Sequence, residues 1–228
     1  MTLEEILTSA PVVPVVTIDD AAQAVPLARA LVAGGIRAIE VTFRTSAGLE
    51  ALRAIAAQVP DAIPGAGTVL NAAQLAAAAK AGAKFAVSPG ATPALLAAAT
   101  AAPIPFLPGV ATASELMACL EAGIAICKFF PAAEAGGVAA LKSLAGPFPQ
   151  ARFCPTGGID AASASAYLAL PNVLCVGGSW LVPRQAVAAG DFARIERLAR
   201  EAAALPRGAG AASALHAGPP GGLSGPSQ

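Results

Sequence analysis

Apolar positions along this chain fall into two alternating kinds of run. The first kind is short, unbroken and rich in Val, Ile, Phe and Cys, at 12–16, 38–43, 63–65, 85–88, 104–107, 125–129, 152–155 and 173–176. Such runs fit strands buried on both faces, as in a parallel sheet. The second kind is longer and Ala-rich, at 20–33, 46–59, 72–81, 93–101, 113–122, 137–144, 161–169 and 193–204. These predict helices, and their ends carry helix punctuation. Thr92 precedes Pro93, Thr112 precedes Ser114 and Glu115, and Asp160 precedes an Ala-rich stretch, all start signals. Gly34, Gly35, Gly82 and Gly123 mark stops.

Strand and helix alternating in this way predict an α/β protein, a (β/α)8 TIM barrel with short loops forming one domain over 1–205. A doubly wound open sheet is the alternative. Residues 2–9 read as a short N-terminal helix that closes the bottom of the barrel. Residues 206–228 are Gly, Ala, Pro and Ser with little hydrophobic periodicity, and read as a disordered C-terminal tail.

Composition narrows the partners. Of 228 residues 56% are hydrophobic and 12% charged, and the formal net charge is zero. That excludes disorder of the whole chain and gives no electrostatic reason to expect nucleic acid or an anionic membrane surface. A mean hydropathy of +0.66 raises the question of a membrane span. The two long uncharged stretches, 85–114 and 161–183, are broken by Pro89, Pro93, Pro103, Pro105 and Pro108 in one and by Pro171, Gly177 and Gly178 in the other. A spanning helix would leave backbone groups unpaired at those breaks. Glu4 and Glu5 stand where a signal peptide would be basic, so a soluble cytoplasmic protein is expected. Cys119, Cys127, Cys154 and Cys175 are too far apart for C-x-x-C chemistry and read as buried thiols. The single histidine, His216, lies in the tail, so neither a His-based metal site nor a Ser-His-Asp triad is expected in the folded part.

In a barrel, chemistry sits where the strands end. Lys80 and Lys84 flank a helix-end glycine and Lys142 lies on a helical run, but Lys128 interrupts an apolar strand run. Burying its charged form is costly, which favours the neutral amine that attacks a carbonyl. A lysine snorkelling to solvent or paired with an acid fits the same pattern. Glu40 interrupts a strand too. With a period of two, Glu40, Thr42 and Arg44 share one face, while Ile39, Val41 and Phe43 share the other, helix-facing one. An inward carboxylate beside an inward amine is either a structural ion pair or a general acid/base. Arg44 suits a substrate carboxylate or phosphate. Gly157 and Gly158 follow the seventh predicted strand beside Thr156, and Gly177 and Gly178 follow the eighth beside Ser179. Barrels bind phosphate at these two loops. Together these residues suggest Schiff-base carbon–carbon chemistry on a small phosphorylated keto acid, with no metal ligand set.

The same residues carry a resemblance. The segments 39–45 (IEVTFRT), 65–70 (GAGTVL), 87–90 (VSPG), 107–110 (LPGV), 128–131 (KFFP) and 152–159 (RFCPTGGI) are similar to those of the 2-keto-3-deoxy-6-phosphogluconate (KDPG) and 4-hydroxy-2-oxoglutarate (KHG) aldolase family, as is the stretch from Pro11 to Pro183 as a whole. The resemblance implies a class I aldolase that needs no metal or cofactor. It implies a Schiff base on Lys128 and general acid/base work by Glu40. It places Arg44 and Thr68 at the pyruvate carboxylate, Pro89 and Phe130 along the pocket, and Thr156, Gly157, Gly158, Gly178 and Ser179 at the phosphate. It further implies a cytoplasmic homotrimer in the Entner–Doudoroff pathway that cleaves the substrate to pyruvate and glyceraldehyde 3-phosphate. Activity on 4-hydroxy-2-oxoglutarate or on the C4 epimer, phosphogalactonate, is the alternative, and another phosphate-binding barrel enzyme is a further one. One departure stands out. The acid that often follows KFFP-Ala in the family is displaced by one position here, to Glu134.

Overall fold

The computed structural model describes residues 1–208. Its strands are β1 Val12–Val16, β2 Ala38–Thr42, β3 Ile63–Gly67, β4 Phe85–Val87, β5 Phe106–Leu107, β6 Gly109–Val110, β7 Ile126–Phe129, β8 Arg152–Pro155 and β9 Val176–Gly178. Its α-helices are α1 Leu3–Leu7, α2 Ala24–Ala33, α3 Gly48–Gln58, α4 Ala72–Lys80, α5 Pro93–Thr100, α6 Ala113–Glu121, α7 Gly137–Ala145, α8 Ala164–Leu168, α9 Arg184–Ala188 and α10 Phe192–Ala203. Every ladder is parallel. Six strands form one curled sheet in the order β5-β4-β3-β2-β1-β9, and three form another in the order β6-β7-β8. The fold is α/β.

Two junctions differ from eight uniform strands. The fifth predicted strand, 104–107, is cut to β5, and an unpredicted strand, β6, follows it past Pro108. Proline has no N–H to give to a ladder, yet its carbonyl accepts from the Lys128 N–H at 2.8 Å. The eighth predicted strand lies further along the chain, at β9, because the partner of β1 is 176–178: Val12 faces Val176 and Pro14 faces Gly178. Val173 keeps one isolated parallel bridge to Phe153, and Thr156 another to Gly177.

Helix starts follow the local chemistry. Thr92 and Thr112 cap α5 and α6, with Pro93 in the first turn of one and a capping box from Glu115 in the other. The predicted 20–33 helix is a 3-10 turn, Ala21–Gln23, followed by α2. The predicted 161–169 helix is cut to α8. Asp160 first folds back on itself, its carboxylate accepting from the Ala162 and Ser163 N–H groups. α9 was not expected.

Two apolar clusters sit on either side of the strands. Between sheet and helices lie Val12, Val16, Ile39, Val41, Cys127, Phe129 and Phe153, packed against Leu27, Leu31, Leu52 and Ile55 of α2 and α3. Inside the curl lie Val13, Ala38, Ile63, Phe85, Val87, Leu107, Cys154 and Leu174, together with Ile6 and Leu7 of α1. The N-terminal helix thus fills one end of the interior, as expected. Its own start is a capping box in which the Thr2 N–H donates to Glu5 and the Glu5 N–H donates to the Thr2 hydroxyl. At the other end of the chain, the first residues of the predicted tail are seated. The Arg207 guanidinium donates to the Thr8 carbonyl at 2.6 Å, and the Gly208 N–H donates to that of Leu168 at 2.9 Å. Residues 209–228, with His216, lie outside the described residues. Among the described residues no helix is long and apolar enough to cross a membrane.

Candidate active site

The pleat of β2 turns Ile39 and Val41 toward the helices, which leaves Glu40 facing inward. β7 does the same with Cys127 and Phe129 on the helix side and Lys128 inside. The two inward residues meet across the interior. Lys128 Nζ donates to Glu40 Oε1 at 3.1 Å and to Oε2 at 3.4 Å, and both side chains are only 4% exposed. Such a pair costs solvation on both sides and holds only when its geometry is good. Here space is made for it. A Cβ on Gly67 would stand 2.5 Å from Glu40 Cγ and Oε1, so glycine is required beside the carboxylate. The Phe130 ring lies 5.3 Å from the amine, within cation–π range. No buried side-chain polar atom among the described residues lacks a partner.

Beside this pair opens a cavity of about 530 Å³. It is lined by Arg44, Phe130, Thr156, Gly157, Gly158, Gly178 and Ser179, and also by Val15, Thr17, Ile159, Gly177, Val182, Pro183 and Arg184. Lys128 and Glu40 do not themselves line it, but Phe130, whose ring lies 5.3 Å from the amine, does. Gly157 and Gly158 have φ of 100° and 68°, in the left-handed region where glycine is favoured. Gly177 is packed so closely on Thr156 that a side chain there would collide with the Thr156 hydroxyl. Backbone N–H groups in such turns form concave anion sites.

The sequence-selected residues are therefore mostly brought together. Glu40 and Lys128 touch, and seven of the remaining nine line the cavity. Thr68 is reached through Arg44, whose Nε donates to the Thr68 hydroxyl at 3.3 Å. Thr68 has φ of 59°, a strained position for a β-branched residue. Pro89 does not line the cavity. It lies against β6, where its carbonyl leaves Gly109, the register partner of Lys128, no room for a side chain. Thr17 and Arg184 line the cavity and were not anticipated. Thr17 is the first polar residue after β1, a signal present at the strand end. Its hydroxyl pairs with that of Thr42 at 3.1 Å. Arg184 begins the unexpected α9, and nothing in its neighbourhood announced it.

The displaced Glu134 reaches the same loop, since a Cβ on Gly158 would lie 3.5 Å from its Oε1. It also helps to hold the Tyr167 hydroxyl above its ordinary pKa, after the larger effect of burial. A hydrogen bond from the neighbouring thiol, and then burial, raise two cysteines: Cys127 beside Cys119, and Cys175 beside Cys154.

The sequence profile described as KDPG and KHG aldolase matches residues 3–198. The chain belongs to that aldolase family. Among its aldolase relatives is the KHG/KDPG aldolase of Escherichia coli K12, 59% identical over 199 residues that cover 87% of this chain and 93% of that one. Another is the 2-dehydro-3-deoxy-phosphogluconate aldolase of Dickeya dadantii, 58% identical over 201 residues, 88% and 94% of the two chains. Solved aldolases share the fold. The KDPG aldolase of Legionella pneumophila, with pyruvate captured as a covalent carbinolamine, superposes with a TM-score of 0.88 at 46% identity over 90% of this chain and 99% of that one. The aldolase of Zymomonas mobilis ZM4 with 3-phosphoglycerate gives 0.85 at 51% identity, covering 90% and 96%.

Proposed function

We propose that this aldolase is a class I, Schiff-base lyase that cleaves 2-dehydro-3-deoxy-6-phosphogluconate to pyruvate and glyceraldehyde 3-phosphate, with Lys128 as nucleophile and Glu40 as acid/base. The observation that carries this reading is the buried Lys128–Glu40 contact at 3.1 Å beside a cavity rimmed by glycine loops and arginine. At that distance the Glu40 carboxylate is placed to accept the proton that Lys128 sheds when its amine acts as nucleophile. The amine attacks the C2 carbonyl. Glu40 gives the proton that lets the carbinolamine lose water, forming a protonated imine. The imine is an electron sink. When Glu40 removes the C4 hydroxyl proton, the C3–C4 bond breaks, its electrons pass to the imine nitrogen, and glyceraldehyde 3-phosphate leaves. The enamine is then protonated at C3, and water returns pyruvate and the free amine. Every proton and electron is accounted for by the substrate, water and this pair.

In this reading Arg44, with Thr68 behind it, holds the carboxylate end. Phe130 walls the pocket, and Pro89 lies against Gly109, the register partner of Lys128. Thr156, Gly157, Gly158, Gly178 and Ser179 receive the phosphate. Cleavage of 4-hydroxy-2-oxoglutarate is the second reading, favoured by the double name of the Escherichia coli relative. We further read the strands as one closed (β/α)8 barrel in which β5 and β6 count as one. The two parallel bridges between the 153–156 and 173–177 segments support closure. A homotrimer working in the cytoplasm in the Entner–Doudoroff pathway completes the proposal. Four free, buried thiols suit a reducing compartment, and light scattering on the purified chain tests the trimer.

The test of the chemistry is borohydride reduction in the presence of pyruvate, followed by mapping of the adduct. The expected adduct is on Lys128 and is lost in Lys128→Ala. Its absence, or its appearance on Lys80, Lys84 or Lys142, overturns the reading.

A further inference from the structure

Arg44 and Arg184 are the only ionisable side chains that line the cavity among the described residues; no carboxylate lines it. Arg44 is engaged with Thr68 at the end assigned to the substrate carboxylate. Arg184 follows the loop that carries Gly178 and Ser179, so it stands on the arc of the rim assigned to phosphate. Its Nη2 donates to Asp19 Oδ2 at 2.7 Å. Asp19 belongs to the loop after β1, as does Thr17. The contact therefore ties the rim of the last strand to that of the first.

The two side chains are 72% and 62% exposed. An exposed pair of this kind adds little to stability, so its consequence is orientation. It occupies one of the five guanidinium N–H donors and leaves the planar fork available to an anion. A phosphate in the glycine loops meets backbone N–H groups, and Arg184 is the one cation on that arc among the described residues. Charge-assisted bonds to a dianion are the strong ones.

We propose that Arg184, positioned by Asp19, is a specificity residue that reads the substrate phosphate and sets the preference for phosphorylated over unphosphorylated 2-keto acids. This rests on the aldolase reading and extends it. Cleavage by the full chain is compared on the 6-phosphorylated substrate and on 4-hydroxy-2-oxoglutarate, which carries no phosphate. Arg184→Ala is expected to raise KM for the phosphorylated substrate about tenfold with kcat within about twofold, so that the ratio of kcat/KM between the two substrates falls by about the same factor. Asp19→Asn moves KM in the same direction by a smaller factor, about threefold, and Asp19→Glu and Arg184→Lys each recover part of the loss. Inorganic phosphate, titrated calorimetrically, binds more weakly to Arg184→Ala than to the parent. An unchanged KM and unchanged phosphate binding, or equal losses on both substrates, overturn the role of Arg184 while the Lys128 adduct still stands. If the parent forms no Lys128 adduct, the aldolase reading fails, and phosphate calorimetry on parent and variant still decides whether Arg184 holds the anion.

Discussion

Glu40 and Gly67 illustrate how a site depends on an atom that is missing. The carboxylate of Glu40 can lie against Lys128 only because position 67 has no side chain. Gly67→Ala places a methyl group within 2.5 Å of Glu40 Cγ and Oε1 and must push the carboxylate aside. A displacement of about 1 Å at a reacting group costs on the order of 100-fold in rate. We expect kcat to fall by about that factor in Gly67→Ala while pyruvate still traps on Lys128, read by single-turnover kinetics and mass spectrometry. Glu40→Gln keeps the shape and removes the proton relay, so carbinolamine formation and cleavage both slow, by about 100-fold or more. Near-normal turnover in Glu40→Gln would remove Glu40 from its role. At this scale the sequence was most informative about Lys128 and Glu40. A charge inside an apolar strand is costly anywhere, and its presence is visible without coordinates. Arg184 was illegible for the opposite reason: an exposed arginine after a Pro-containing loop is ordinary, and only proximity to the glycine turns gives it meaning.

Among the elements, helix starts were easiest to read because capping is local. In α6 the Ala111 N–H, and then the N–H and hydroxyl of Thr112, donate to the Glu115 carboxylate. The Ala111 bond leads in holding its pKa below the usual carboxylate range, against a smaller opposing effect of burial. A group depressed in this way stabilises the fold above its unfolded pKa, and the contribution is lost as pH falls through the folded one. Glu115→Gln keeps the box geometry without the charge. We expect it to melt below the parent at neutral pH, with the two melting temperatures converging as pH is lowered from about 6 to about 3. Equal gaps at both ends of that range would show that the charge contributes nothing. Strand limits were harder to read. The ladder at 176–178 forms where β1 offers partners, and Gly177 and Gly178 carry no strand propensity of their own.

For the molecule as a whole, α1 has a consequence out of proportion to its length. Ile6 and Leu7 are fully buried against Val13, Ala38, Ile63 and Phe85 and cover one end of the interior. Leu7→Ala is expected to cost about 2–5 kcal/mol, as buried Leu to Ala changes do. The site lies toward the opposite strand ends, so kcat measured well below the melting transition is expected to stay close to that of the parent. A parallel loss of kcat at that temperature would show that the plug also shapes the site. Alternation of strand and helix, the inward faces of Glu40 and Lys128, and the pairing of Gly-Gly with Thr156 and Ser179 were all determined by sequence alone, because periodicity, burial cost and turn geometry act over a few residues. The meeting of Glu40 with Lys128 at 3.1 Å, the added strand past Pro108, the shift of the last ladder to 176–178 and the placement of Thr17 and Arg184 at one cavity were decided only in three dimensions. Those features depend on register and curvature across the sheet, where the partner of each residue lies dozens of positions away.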